Sequence, residues 1–151
     1  MKTFWCVFDM FVYGGLIYCL IELLYRGRTH PSMYAVGGLC FLLVGYCVNR
    51  FLPWELGLVW QAIIGGVVIT LIELPAGFIL NIWLKLGVWD YSSLRFNFMG
   101  QISAEYFLKW VVVAAFAILL MDFLLWQRKG EQRPQYTWFK WEKKNLAVAS
   151  A

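Results

Sequence analysis

The sequence predicts an all-α, polytopic membrane protein with four transmembrane helices and a short interfacial helix after the third span. The 151-residue chain is 62% hydrophobic and only 15% charged, whereas soluble globular chains carry about 25% charged residues. Four apolar segments reach the roughly 20 residues that a span requires, at 4–25, 33–52, 56–76 and 102–126. Backbone groups in lipid must pair within their own segment, so we predict helices. We expect a four-helix transmembrane domain over 1–126 and a basic, aromatic tail over 127–151.

The first and third spans share a sequence motif. Gly14-Gly15 is followed by a lone carboxylate at Glu22, and Gly65-Gly66 is followed in the same register by Glu73, 51 positions later. Six of the ten positions in each stretch are identical. Such self-similarity favours a two-fold repeat of helical hairpins, with parallel halves related by an axis along the membrane normal. Chance recurrence of Gly-Gly and Leu-Ile in apolar sequence is the alternative. Close helix packing explains the glycine pairs better than ligand binding does.

The third span is followed by further apolar sequence up to residue 86. A straight helix over 56–86 would be about 45 Å long, which exceeds a hydrocarbon core of about 30 Å. Because Pro75 lacks the N–H of a helical hydrogen bond, we predict a kink there. A short amphipathic helix would follow at the interface, with Trp83 and Trp89 at the level of the lipid headgroups.

The basic residues predict the orientation. With four spans, eight lysines and arginines lie on the side of the two termini and four on the other. The positive-inside rule then places both termini in the cytoplasm, in a multi-pass protein of the plasma membrane. We expect the basic tail to face anionic lipid and not a nucleic acid. The four cysteines show no CxxC spacing and there is one histidine, so we predict neither a metal site nor another cofactor.

Polar residues cluster at the C-terminal ends of the first and third spans and in the segments that follow them. With four spans, these segments would lie at the same membrane face. Glu22 and Arg26 have the spacing of a helical ion pair. Glu73 has no basic residue within one turn. It is either a structural hydrogen-bonding group between helices or half of a cation- or proton-handling pair with Glu22. His30 is more typical of a capping or solvated residue than of a base. The candidate polar site comprises Glu22, Arg26, His30, Glu73, Asn81, Asp90, Tyr91, Asn97 and Gln101.

Two motifs resemble a known family. Residues 26–33 form Arg-Gly-Arg-Thr-His-Pro-Ser-Met, and residues 89–92 form Trp-Asp-Tyr-Ser, followed by Asn97, Gly100 and Ile102. These motifs are similar to the R-G-x-T-H-x-S-M and W-D-Y-S…N-x-x-G-x-I segments of the Putative ABC-transporter type IV membrane proteins. The likeness covers residues 13–126. It implies a small polytopic plasma-membrane protein of bacteria, and the residues of the candidate site that match the family are Glu22, Arg26, Glu73, Asp90, Asn97 and Gln101.

The leading functional hypothesis is a transporter component with a polar site between the glutamate-bearing helices. It would act in the lipid bilayer as a homo-oligomer or with a membrane or ATPase partner. The alternative is a non-transporting regulatory or scaffolding subunit. A membrane-embedded enzyme is the third hypothesis, but the chain shows no nucleophile, metal or nucleotide-binding motif, so no enzyme activity is predicted.

Overall fold

The computed structural model describes residues 2–48, 51–52, 56–129 and 136–138. Four α-helices dominate this part of the chain. The elements are α1 (Lys2–Arg26), α2 (Pro31–Phe41), α3 (Leu58–Gly77), β1 (Asn97–Phe98), β2 (Ile102–Ser103) and α4 (Ala104–Lys129). Two of the helices continue directly as π-helical segments, α2 into Leu42–Val48 and α3 into Phe78–Trp83. β1 and β2 form a two-residue antiparallel ladder just before α4.

The helices have the length and composition of membrane spans. Among the described residues, three stretches are long and apolar enough to cross a bilayer, and a shorter apolar helix covers Pro31–Gly45. Large apolar side chains point outward from these helices: Leu24 is 80% exposed, Leu71 65% and Phe116 68%. An outward apolar surface on every long helix is the arrangement that a bilayer requires. The membrane prediction is confirmed, while crossing by α2 stays a prediction. The three long stretches are Trp5–Arg26, Leu58–Trp83 and Ala104–Arg128.

α1 and α4 run in opposite directions. Near the start of α1, the Asp9 carboxylate accepts from Nη1 of Arg128, at the end of α4, at 2.8 Å. Near the end of α1, the Tyr25 hydroxyl lies 3.4 Å from Nζ of Lys109, at the start of α4. The first residues of α1 and the last residues of α4 therefore share one end of the bundle.

α3 is also antiparallel to α4. Its buried Glu73 contacts Trp110, near the start of α4. At its other end, the N–H of Leu58 donates to the carbonyl of Thr137, beyond the end of α4, at 2.8 Å. α1 and α3 consequently run in the same direction, as two parallel hairpins require. The internal repeat itself stays a prediction.

Glycines let the backbones of α1 and α2 approach closely. A Cβ added at Gly15 would lie 2.6 Å from the carbonyl oxygen of Tyr34. One added at Gly38 would lie 2.7 Å from the carbonyl oxygen of Phe11. Both neighbours are backbone atoms, which cannot move aside without shifting a helix. The prediction that the glycine pairs serve close helix packing is confirmed here.

The helix does not end at Pro75. α3 passes through it, and three residues later the hydrogen bonding widens into the π-helical segment Phe78–Trp83. The expectation of a separate interfacial helix is wrong, because this segment continues α3 without a break. Trp83 is 76% exposed, as an interfacial residue would be, whereas Trp89 is only 6% exposed and lies inside the protein.

The described part of the tail lies against the helix ends. Besides the bond from Leu58 to Thr137, the N–H of Val59 donates to the carbonyl of Trp138 at 3.3 Å. The first amides of a helix have no partner within it, so this segment caps α3. The hydroxyl of Tyr136 donates to the carboxylate of Asp122 in α4. α4 itself runs to Lys129, past the predicted end at 126, and the rest of the predicted surface-lying tail falls outside the described residues.

Candidate polar site at one end of the bundle

The loop between α3 and α4 is held in shape by its own polar groups. The N–H of Tyr91 donates to the carbonyl of Gly100 at 2.8 Å. The side chain of Asn97 donates to the carbonyl of Leu94 at 2.7 Å and accepts from the N–H of Gly100 at 3.0 Å. Trp89 donates through its indole N–H to the carbonyl of Gln101 at 3.0 Å. The W-D-Y-S and N-x-x-G residues thus fold the loop back on itself.

Asp90 lies on the outside of this loop. Its Oδ1 accepts from the N–H of Ser92 at 2.8 Å, which forms a local turn. That backbone hydrogen bond lowers the pKa of Asp90. Gly100 faces the same carboxylate with φ of 69°, and a Cβ there would lie 2.8 Å from Oδ1 of Asp90. Only glycine meets both conditions at position 100.

Asn81 and Gln101 attach the loop to the end of the third helix. Asn81 donates to Oε1 of Gln101 at 2.9 Å. Its own oxygen accepts from the N–H of Val88 at 2.7 Å. Val88 and Gln101 are each 6% exposed, so the partners of Asn81 are buried. Asn81 therefore attaches the loop to the π-helical segment of α3 at two points, Val88 and Gln101.

Glu22 has a charged partner. It is 4% exposed, and its Oε1 lies 3.3 Å from Nη1 of Arg26, outside hydrogen-bonding geometry. Its Oε2 accepts from the hydroxyl of Thr29 at 2.7 Å. Arg26 also donates through Nη2 to the carbonyl of Val88 at 2.6 Å. The predicted ion pair is confirmed, and its arginine reaches across to the α3–α4 loop.

In the described part of the chain, both hydrogen-bond donors to Glu73 are neutral. The carboxylate is 7% exposed. Its Oε1 accepts from the hydroxyl of Tyr91 at 2.9 Å and its Oε2 from the indole N–H of Trp110 at 2.7 Å. Burial raises the pKa of Tyr91 above its usual range, and the Glu73 charge adds to the effect, so the hydroxyl keeps its proton. Tyr91 also stacks on Tyr106 of α4, with ring centroids 4.0 Å apart.

A cleft of about 470 Å³ opens beside these groups. Its walls come from the end of α1, the α3–α4 loop and the start of α4. Both signs of charge line it. Arg26 and Tyr91 belong to its walls, and each is bonded to one of the two buried carboxylates. The charged side chains in the lining are Arg26, Arg28, Asp90, Glu105 and Lys109.

The two carboxylates lie at different distances from the ends of their helices. Glu22 is one turn before the end of α1 at Arg26. Glu73 is ten residues before the end of the α3 extension at Trp83, which is about 15 Å at 1.5 Å per residue. Equal register in the sequence therefore gives unequal distances to the helix ends. The α3–α4 loop bridges the difference, because its Tyr91 reaches down to Glu73.

The nine predicted residues divide by position. Arg26, Asp90 and Tyr91 line the cleft, Glu22 and Glu73 bond to its walls, and Asn81, Asn97 and Gln101 hold the loop. His30 lies apart. It caps α2, accepting at Nδ1 from the N–H of Ser32 at 3.2 Å, so the capping interpretation is confirmed.

The predicted site did not include two residues of α4 that take part in it. Trp110 bonds Glu73, and Lys109 lines the cleft while lying 4.1 Å from the ring centroid of Tyr106. Glu105 and Lys109, one turn apart on α4, form an ion pair of 2.9 Å. Nothing in the sequence distinguishes Trp110 from the other eight tryptophans.

Comparison with known proteins identifies a family that matches most of the chain. A family model described as "Putative ABC-transporter type IV" matches residues 4–141. The matched region contains α2, α3, α4 and the loop that forms the cleft, together with nearly all of α1. No curated protein matches the chain, and no solved structure does.

Proposed function

The chain belongs to the Putative ABC-transporter type IV family, and we propose that it is a transport component that binds a polar solute in the cleft formed by the end of α1, the α3–α4 loop and the start of α4. One observation carries the proposal. Glu22 of α1 and Glu73 of α3 are both buried, and each is bonded to a wall of the same cleft, through Arg26 and Tyr91 respectively. Buried ionisable groups in membrane helices are costly and mark solute or ion pathways.

We further propose that the chain crosses the membrane four times, with both termini in the cytoplasm of a bacterium. α1 and α3 run in the same direction, so the chain must return across the bundle between them. α2 and its π-helical continuation make that return, packed backbone to backbone against α1. The excess of basic residues on the side of the termini supports the orientation. The cleft then opens on the outer face of the membrane.

The lining of the cleft favours a small solute that carries charge of both signs. Arg26, Arg28 and Lys109 supply positive charge, and Asp90 and Glu105 supply negative charge. A volume of about 470 Å³ falls in the usual range of small-molecule sites. A solute with one anionic and one cationic group could contact both sets of side chains.

Ligand-dependent thermal shifts of the purified protein over a panel of small zwitterionic and anionic solutes test the proposal. A hit should lose its shift in Glu22→Gln and Glu73→Gln. Asp9→Asn is the matched control, because Asp9 pairs with Arg128 at the opposite end of the bundle. A deletion strain whose uptake or resistance phenotype is fully restored by the double glutamate variant, at normal membrane levels, would refute the site.

The alternative is a non-transporting regulatory or scaffolding subunit, and the two differ in what purifies with the chain. Mild-detergent purification should bring down a stable companion if the chain is a scaffold, whether or not a solute is present. An ATPase companion, or a second copy, together with saturable solute binding would support the transport component. A lone monomer that binds a solute would count against the scaffold.

A further inference from the structure

Glu73 is a buried carboxyl group whose contacts accommodate two protonation states. Both of its oxygens now accept, Oε1 from Tyr91 and Oε2 from Trp110. An indole N–H can only donate, whereas a phenolic hydroxyl can donate or accept. If a proton is added at Oε1, the Tyr91 hydroxyl turns and accepts it, and the bond from Trp110 is unchanged. Neither state leaves a carboxyl oxygen without a partner.

Among the described residues, no positively charged side chain pairs with Glu73. The titratable groups near it are Tyr18 from α1, Cys40 from α2 and Tyr91 from the α3–α4 loop. None of these is a base that carries positive charge. No ion pair to Glu73 occurs among residues 2–48, 56–129 and 136–138. A buried carboxylate without a counter-charge is costly to keep ionised.

A proton suits this site better than a metal ion does. A metal cation needs several oxygen ligands, but Oε2 of Glu73 is already occupied by an N–H that cannot ligate. Within the described part of the chain, no group of three or more histidine, cysteine, aspartate or glutamate residues could hold a metal ion. The contacts supply hydrogen-bond donors, which is what a carboxyl group that gains and loses a proton requires.

We propose that Glu73 takes up and releases one proton from the cleft, and that Tyr91 passes it. The Tyr91 hydroxyl gives its proton to Oε1 of Glu73 while it receives another from a hydronium ion in the cleft. One O–H bond forms on Glu73 and one breaks on the hydronium ion, which remains as water. The tyrosine stays neutral, with its O–H now directed away from Glu73. The role of this step in solute movement rests on the proposed function, but the proton site itself does not.

Infrared difference spectroscopy of the full chain in lipid nanodiscs tests this directly. A protonated carboxyl group gives a C=O stretching band that disappears when the group ionises. The wild type should show such a band that titrates with pH, and Glu73→Gln should lose it. Glutamine can reproduce the protonated pattern, with its oxygen accepting from Trp110 and its amide donating to Tyr91, so this variant should fold. Glu22→Gln is the control and should keep the band.

Tyr91→Phe tests the relay. The ring keeps its stack on Tyr106, but the hydroxyl is gone, so the band should move in frequency and respond more slowly to a pH jump. A wild-type spectrum without any band lost in Glu73→Gln would overturn the proton site. A Tyr91→Phe band with unchanged position and rate would overturn the relay.

Solute binding measured on the same samples separates the two proposals. A titrating Glu73 band in a protein that binds no solute and restores no phenotype would leave the proton site standing and remove the proposed function. Solute binding by a protein whose Glu73 never titrates would do the reverse.

Discussion

Replacing Asn81 with alanine should release the cleft wall from the third helix. The wild-type side chain donates to Gln101 and accepts from the N–H of Val88, at 2.9 and 2.7 Å. Both partners are buried, so neither finds water easily after the substitution. The next residue in the chain that lines the cleft after the π-helical segment is Gly87. Loss of Asn81 therefore acts on the loop directly where the cleft begins.

The size of the effect follows from the two lost bonds. A net hydrogen bond contributes about 1 kcal/mol, and a buried group left without a partner costs about 1–3 kcal/mol. The loop should therefore be destabilised by about 2 kcal/mol or more. At about 1.4 kcal/mol per factor of ten, this corresponds to an opening equilibrium that is about 30-fold more favourable.

Hydrogen exchange of peptides covering residues 84–91, followed by mass spectrometry, measures that opening locally. Asn81→Asp keeps the acceptor for Val88 and should show a smaller increase. Ile82→Ala removes a 43% exposed, outward side chain and should leave the exchange unchanged. Exchange in Asn81→Ala at the wild-type rate would show that these two bonds do not hold the loop.

Two further substitutions test the packing and the tail. Gly38→Ala should separate α1 from α2, because the new Cβ would lie 2.7 Å from the carbonyl oxygen of Phe11; overpacking of this kind costs about 1–3 kcal/mol, measurable by SDS-driven unfolding, and an unchanged unfolding curve would contradict it. Tyr136→Phe removes the donor to the carboxylate near the end of α4, so protease cleavage after the tail aromatics should speed up several-fold while the helices stay protected, and identical cleavage would show that this contact does not hold the segment.

The sequence predicted the contacts that are local along the chain. Glu22 and Arg26 are one turn apart on a single helix, and His30 caps the helix that begins beside it. The glycine pairs were also interpretable, because close approach of membrane helices depends on small residues. In each case a neighbour in sequence, or a general rule of helix packing, defines the contact.

The contacts of Glu73 could not be predicted in this way. Its donors Tyr91 and Trp110 lie 18 and 37 positions away, and many aromatic residues in the chain could have taken those places. The π-helical continuation of α3 was not predicted either, because a proline in an apolar run is compatible with a kink, a break or a widened turn. Trp89 was expected at the level of the lipid headgroups, but its indole N–H donates to the carbonyl of Gln101 inside the folded loop.

A single short segment of the α3–α4 loop connects the two carboxylates. The carbonyl of Val88 accepts from Arg26, the partner of Glu22, and Tyr91, three residues later, donates to Glu73. A change of charge on Glu73 alters what the Tyr91 hydroxyl must do, from donating to accepting. The backbone N–H of the same tyrosine is bonded to Gly100, so the segment cannot relax freely. If Glu73 takes up a proton as proposed, we expect the change at Tyr91 to reach the Val88 carbonyl that holds Arg26, so that protonation of Glu73 alters solute binding in the cleft.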